Sequence, residues 1–209
     1  LDTNQNVYSL AWSPDGKAIL FVKVANAYSG DKQKCTIQML NVADGTYKAL
    51  TTRPKLEAYP NFSPDGSKIS YWYKNSDENE SINELWVTDA KGGEGKSIST
   101  ELNRDLYLST WMPDNNSFLI GGHNDNKTSM WNMSLDGKTT PLDIGNVSPS
   151  WGFWMDATVS KTGAIAFTGS EPNKPVELYF IASTTSKLVQ LTDYNSEVSK
   201  MTLGKTETI

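Results

Sequence analysis

One histidine stands among the 209 residues, His123, in the run Gly121-Gly122-His123-Asn124-Asp125. A catalytic histidine needs a nucleophile within reach and a carboxylate to orient it. Nothing marks a nucleophile, for Gly-x-Ser-x-Gly is absent, and His123 reads as a loop residue just past a strand. Cys35 is the only cysteine, which excludes an internal disulfide and a cysteine-rich zinc site; alternating with polar neighbours ahead of Ile37, it reads as a half-buried strand thiol. Asp77, Glu78, Glu80 and Glu84 offer oxygen ligands for calcium, but without the spacing of a calcium loop they read as a solvated loop. Arg104, beside Asp105, has the fork that grips a carboxylate, but the two read first as a structural ion pair between blades. Trp151-Gly152-Phe153-Trp154 is an aromatic cluster that either lines a ligand-facing surface or packs between neighbouring units. The candidate binding residues are therefore Arg104, Asp105 and Trp154, with no catalytic residue, metal ligand or cofactor motif.

These residues hang on a repeated element. Trp12-Ser13-Pro14-Asp15-Gly16-Lys17 returns as Phe62-Ser63-Pro64-Asp65-Gly66-Ser67, then as Trp111-Met112-Pro113-Asp114-Asn115-Asn116, and in degraded form as Val159-Ser160-Lys161-Thr162-Gly163-Ala164. The second residues of the copies are 50, 49 and 48 positions apart. Proline presets the first central residue of a turn, Asp tolerates the next, and Gly (or Asn115) takes the left-handed conformation that closes a short hairpin. An apolar residue precedes each turn and an apolar strand follows it. Each repeat then runs through a polar loop (Asn26 to Lys34, Asn75 to Asn83), another strand, a second turn such as Asp44-Gly45 or Asp136-Gly137, and a closing strand.

Units of about 49 residues with four strands each are blades of a β-propeller. The chain is read as all-β, four consecutive four-stranded blades over approximately 7–55, 56–104, 105–152 and 153–198, with a further strand starting at Ser199. That strand favours a piece of a larger propeller over a complete four-bladed disc. End blades would then expose faces that promote self-association. A net charge of −5 and only two arginines, Arg53 and Arg104, lack the footprint of a nucleic-acid binder. No apolar run approaches the ~20 residues of a membrane span.

The hairpin motif resembles that of TolB-type and peptidase-associated propellers. Residues 164–195 are more specific. Ala164-Ile165-Ala166-Phe167-Thr168-Gly169-Ser170, then Pro175-Val176-Glu177-Leu178-Tyr179 and Gln190-Leu191-Thr192-Asp193-Tyr194-Asn195, resemble the last propeller blade of the prolyl oligopeptidase family, in its acylaminoacyl-peptidase and dipeptidyl-aminopeptidase branch. The resemblance implies a serine hydrolase domain following the propeller, with a propeller that admits short peptides and holds part of them. It also implies a peptide-facing role for Arg104-Asp105 and, for an acidic cluster such as Asp77 to Glu84, a grip on a peptide amino terminus. The alternative is a non-enzymatic TolB-type scaffold that binds proteins on its faces. A sugar-processing propeller is disfavoured, because the sialidase-type Asp-box needs one residue between Asp and Gly, and Asp15-Gly16 and Asp65-Gly66 are adjacent.

Overall fold

A computed structural model describes residues 6–26, 35–51, 56–74, 82–150, 155–201 and 204. The chain divides into two compact units, Leu1–Asp105 and Leu106–Ile209, each built from two antiparallel sheets. In the first unit, β1 (Asn6–Trp12), β2 (Ala18–Val24), β3 (Cys35–Asn41) and β4 (Tyr47–Ala49) lie in sequence order in one sheet. β5 (Glu57–Phe62), β6 (Lys68–Lys74), β7 (Asn83–Asp89) and β8 (Lys96–Ser97) form the other. In the second unit, β9 (Leu106–Trp111), β10 (Ser117–Asn124), β11 (Lys127–Ser134) and β12 (Thr139–Pro141) repeat the pattern. The last sheet contains β13 (Ser148–Pro149), β14 (Ala157–Val159), β15 (Ile165–Glu171), β16 (Lys174–Ile181) and β17 (Leu188–Gln190), with β13 and β14 both paired to β15. This is the architecture of a partial β-propeller. Among the described residues, no helix is long and apolar enough to cross a membrane.

The repeated hairpin is held by its own polar residues. Ser13 Oγ accepts the N–H of Lys17 at 3.1 Å and of Ala18 at 2.8 Å, and donates to Asp15 Oδ1 at 2.7 Å. In the second copy Ser63 Oγ accepts the Lys68 N–H and donates to Asp65 Oδ1, which itself accepts the Ser67 N–H. Where Met112 replaces serine, Asp114 takes over, receiving Ser117 N–H at 2.9 Å and Ser117 Oγ at 2.8 Å. The closing residue is left-handed in all four copies, at φ +71° (Gly16), +73° (Gly66), +58° (Asn115) and +86° (Gly163). The loop after the second strand is less uniform. In the third and fourth sheets it is a two-residue turn, Asp125-Asn126 and Pro172-Asn173.

Sheets within each unit pack face to face. Leu20 and Ile37 of the first sheet meet Ile69, Tyr71, Tyr73 and Trp86 of the second. In the second unit Leu119 and Met130 share a core with Ile165, Phe167, Tyr179 and Ile181. Burial of one such aliphatic side chain stabilises by about 1.5–3 kcal/mol. Gly121 leaves room for Met155, whose Sδ would stand 2.5 Å from an added Cβ.

The other face of the first sheet is not covered in this way. Register pairs Trp12 with Ile19, Ile19 with Leu40 and Leu40 with Tyr47, which makes an apolar row across all four strands. Trp12 is 61% and Tyr47 54% exposed, whereas Ile69, which occupies the place of Ile19 in the second repeat, is 1% exposed beneath the first sheet.

Every first strand is irregular near one place. β1 carries one extra residue between Tyr8 and Ala11, with Ser9 at φ +55°, and β5 one between Ala58 and Asn61, with Tyr59 at φ +52°. β9 slips by one residue opposite Gly121 and Gly122. In the fourth sheet the whole stretch 150–156 separates β13 from β14. A left-handed tyrosine costs roughly 1–2 kcal/mol; Pro60, with no N–H to pair, suits a bulge, and the Tyr59 ring packs edge-on to Trp72 at 4.9 Å.

The end of the chain corrects one expectation. Ser199 does not open a strand: α1 (Ser196–Ser199) closes there, Lys200 lies in the following turn, and Lys200 Nζ donates to Glu197 Oε1 at 2.6 Å. The physical reason is Asn195, whose side chain is tied back to β16, donating to Val176 O at 3.2 Å and to Glu177 Oε1 at 3.0 Å, so that residues 196–200 turn directly after it. Residues 202, 203 and 205–209 lie outside the described residues.

Candidate functional site

Asp105 is a fastener within the fold. Its Oδ1 accepts the N–H of Asn83, the first residue of β7, at 2.8 Å. Equivalent joints occur at two other places. Glu57, opening β5, accepts Ile37 N–H of β3 at 3.0 Å, and its same oxygen takes the Thr51 hydroxyl. Ser148, opening β13, accepts Thr128 N–H of β11 at 3.3 Å. Each joint satisfies a strand N–H with an acceptor lying 20 to 22 residues ahead in the chain. Arg104, half exposed, donates from Nη1 to Asn103 O at 3.0 Å, where left-handed Asn103 ends the 3-10 turn Thr100–Leu102. Trp154, with the rest of 151–154, lies outside the described residues.

Asp77, Glu78 and Glu80 also lie outside the described residues; Glu84 is buried and accepts Trp86 Nε1 at 3.0 Å and Thr100 Oγ1 at 3.3 Å. Among the described residues no group of three or more His, Cys, Asp or Glu could hold a metal ion. Cys35 is fully buried rather than half-buried, because its Sγ fills the contact with β5, donating to Glu57 O at 3.1 Å and receiving Glu57 N–H at 3.2 Å. Burial pushes its thiol up from the ordinary value, and burial likewise raises the neighbouring Tyr8 phenol. A thiol so held is a poor nucleophile.

Glu177, in the segment that carries the family resemblance, is the best-satisfied carboxylate of the second unit. It accepts the Thr192 hydroxyl, Asn195 N–H at 2.8 Å and Tyr194 N–H at 3.2 Å, while Leu178 N–H donates to Thr192 Oγ1 at 3.0 Å. The Thr192 hydroxyl, then the backbone donors, hold Glu177 below the usual carboxylate range. The spacing of Glu177, Thr192 and Asn195 is therefore architectural.

The second unit also holds an open cleft of about 430 Å³ between the tip of the β10–β11 hairpin and the ends of β13, β15 and β16. His123 is exposed on its rim, in edge contact with the Tyr107 ring at 5.1 Å, and Lys127, Ser150 and Ser170 line it. The sequence singled out His123 but not the other three residues, which come from three separate strand ends with no shared motif.

No protein-family model matches the chain. In sequence it is similar to dipeptidyl-peptidase 5 of Porphyromonas gingivalis, 26% identical over 134 residues, which is 62% of this chain and 19% of that protein. In fold it is similar to dipeptidyl peptidase 4 of Porphyromonas gingivalis (TM-score 0.66, 13% identity, 91% of this chain and 33% of that one). TolB of Acinetobacter baumannii shares the fold as well (0.64, 19%, 90% and 44%). So does oligogalacturonate lyase of Vibrio parahaemolyticus (0.70, 10%, 93% and 56%). The chain thus spans about a fifth of its curated relative and about a third to a half of these structures. In fold the chain is a stretch of β-propeller, and in sequence it is similar to part of dipeptidyl-peptidase 5.

Proposed function

We propose that this chain is the non-catalytic propeller part of a serine peptidase, limiting entry to short peptides on their way to a hydrolase active site borne elsewhere in the parent protein. The similarity to dipeptidyl-peptidase 5 carries the reading. The segment 164–195 supports it, as does the lack of any Gly-x-Ser-x-Gly among the 209 residues, which leaves the nucleophile to another domain. The source gene tests it. About 250 further residues, a typical domain length, with Gly-x-Ser-x-Gly and later Asp and His are expected downstream. A parent protein lacking them overturns the reading. Gating itself is tested in the parent enzyme by comparing cleavage of a dipeptide amide with that of the same sequence embedded in a folded protein. Equal rates with and without the propeller would overturn it. A second reading, a TolB-type scaffold without catalysis, is supported by the shared fold and gains if the parent ends in another binding module.

A further inference from the structure

The cleft of the second unit has a chemistry of its own. Among the described residues that line it, Lys127 alone carries a formal charge at neutral pH, and none bears a carboxylate. Ser150 Oγ is buried with no hydrogen-bond partner, a state that buried polar atoms rarely keep. Beside it, the hydroxyls of Thr128 and Ser148 lie 2.8 Å apart, and Thr128 Oγ1 donates to Pro149 O at 2.6 Å, so this wall is fixed by the joint between β11 and β13. Val176, 48% exposed, offers an apolar shoulder opposite.

One cation, hydroxyl donors, no acid and an apolar shoulder match a monoanion attached to a small apolar group. We infer that this cleft binds a carboxylate, with Lys127 Nζ and Ser150 Oγ as donors and Val176 against the adjoining side chain, as at the carboxy end of a short peptide. A dianion such as phosphate is a poorer match, because a single lysine leaves half its charge uncompensated. The volume lies within the range of about 300–1,000 Å³ usual for small-molecule sites. Choosing a peptide as the source rests on the peptidase reading, whereas the carboxylate chemistry rests on the cleft alone.

His123 makes the test direct, since it is the only histidine of the chain and its imidazole protons give one set of proton resonances. The chain is titrated with alanyl-alanine, with alanyl-alanine amide, with acetate and with inorganic phosphate. A saturable shift of the His123 resonances is expected with alanyl-alanine and not with its amide. Lys127→Gln, an exposed hairpin position, is expected to weaken binding roughly tenfold, the loss of one charge-assisted hydrogen bond. Ser150→Ala, which removes an orphan atom without opening a cavity, is expected to weaken it as well. Tighter binding of alanyl-alanine than of acetate upholds a peptide terminus as the source, and equal binding upholds a small free acid. No saturable shift with either acid, an equal shift with the amide, stronger binding of phosphate, or undiminished affinity in Lys127→Gln overturns the inference. A parent gene without a hydrolase domain would end the peptidase reading and leave this result untouched.

Discussion

Glu57 accepts the backbone N–H of Ile37 at 3.0 Å and the Thr51 hydroxyl on one and the same carboxylate oxygen, with its side chain withdrawn from solvent. A buried acceptor of this kind matters mainly through the donors it leaves behind. Glu57→Ala leaves the buried Thr51 hydroxyl without its acceptor, while the Ile37 N–H keeps Thr51 Oγ1 at 3.0 Å, and the change is expected to destabilise the chain by about 1–3 kcal/mol. Urea denaturation measures this, with the exposed Glu101→Ala as a control expected to stay within about 0.5 kcal/mol. Equal midpoints for the two variants would remove the joint from the account.

The turn glycine is tested in both directions. Gly66 lies at φ +73°, and an added Cβ would meet only the Pro14 ring at an ordinary contact of 3.5 Å, so Gly66→Ala is expected to cost about 1–2 kcal/mol, chiefly from backbone strain. Asn115→Gly relieves the same conformation at φ +58° and is expected to be neutral or stabilising by a few tenths of a kcal/mol. Thermal melts of both variants decide.

That hairpin is where the sequence was most informative. Ser-Pro-Asp-Gly states a turn through four residues whose backbone preferences agree, so strand order, sheet number and register follow from it. The joints were less legible. Asp105 and Arg104 read as a structural ion pair or a ligand pair, because an acid one residue ahead of a strand looks the same whether it meets an arginine, a ligand or the N–H of Asn83. The bulges at Ser9 and Tyr59 were hidden, because neither residue type announces a left-handed conformation. The cleft was hidden too, because Lys127, Ser150 and Ser170 converge only after three strands have paired. The helical turn at Ser196 was missed because Asn195 acts through a partner 19 residues behind it.

Acid should loosen the fold in a defined interval. Asp65 is lowered to about 2, chiefly by the Ser63 hydroxyl; Asp15 and Asp136 are lowered by Ser13 and Ser134, and Glu177 by Thr192. A carboxyl whose native value is depressed binds fewer protons folded than unfolded, so its stabilisation is complete above the unfolded value and fades as pH falls towards the native one. Stability is therefore expected to be flat near neutrality and to decline from about pH 4.5 down to about pH 2. Urea midpoints across this range check it. Asp65→Asn should flatten part of the slope, and an unaltered slope in that variant would exclude Asp65 as a contributor.

The uncovered row on the first sheet predicts association of two copies through that face. Trp12 and Tyr47 expose large apolar surfaces beside Ile19 and Leu40, in the position where the second sheet is roofed by its neighbour. Sedimentation velocity of the isolated chain is expected to show concentration-dependent dimerisation that Trp12→Lys abolishes. A monomer at all concentrations, or a dimer indifferent to Trp12→Lys, would exclude this face.

The joints run out of phase with the repeats. Thr51, Ser99 and Thr192 each serve the third strand of their own repeat, taking the N–H of Ile37, Leu85 and Leu178, and the following repeat adds Glu57 for β3 and Asp105 for β7. A gene duplication that copies one repeat therefore carries an acceptor for the unit before it and a waiting donor for the unit after it. Such an array lengthens without inventing a new seam.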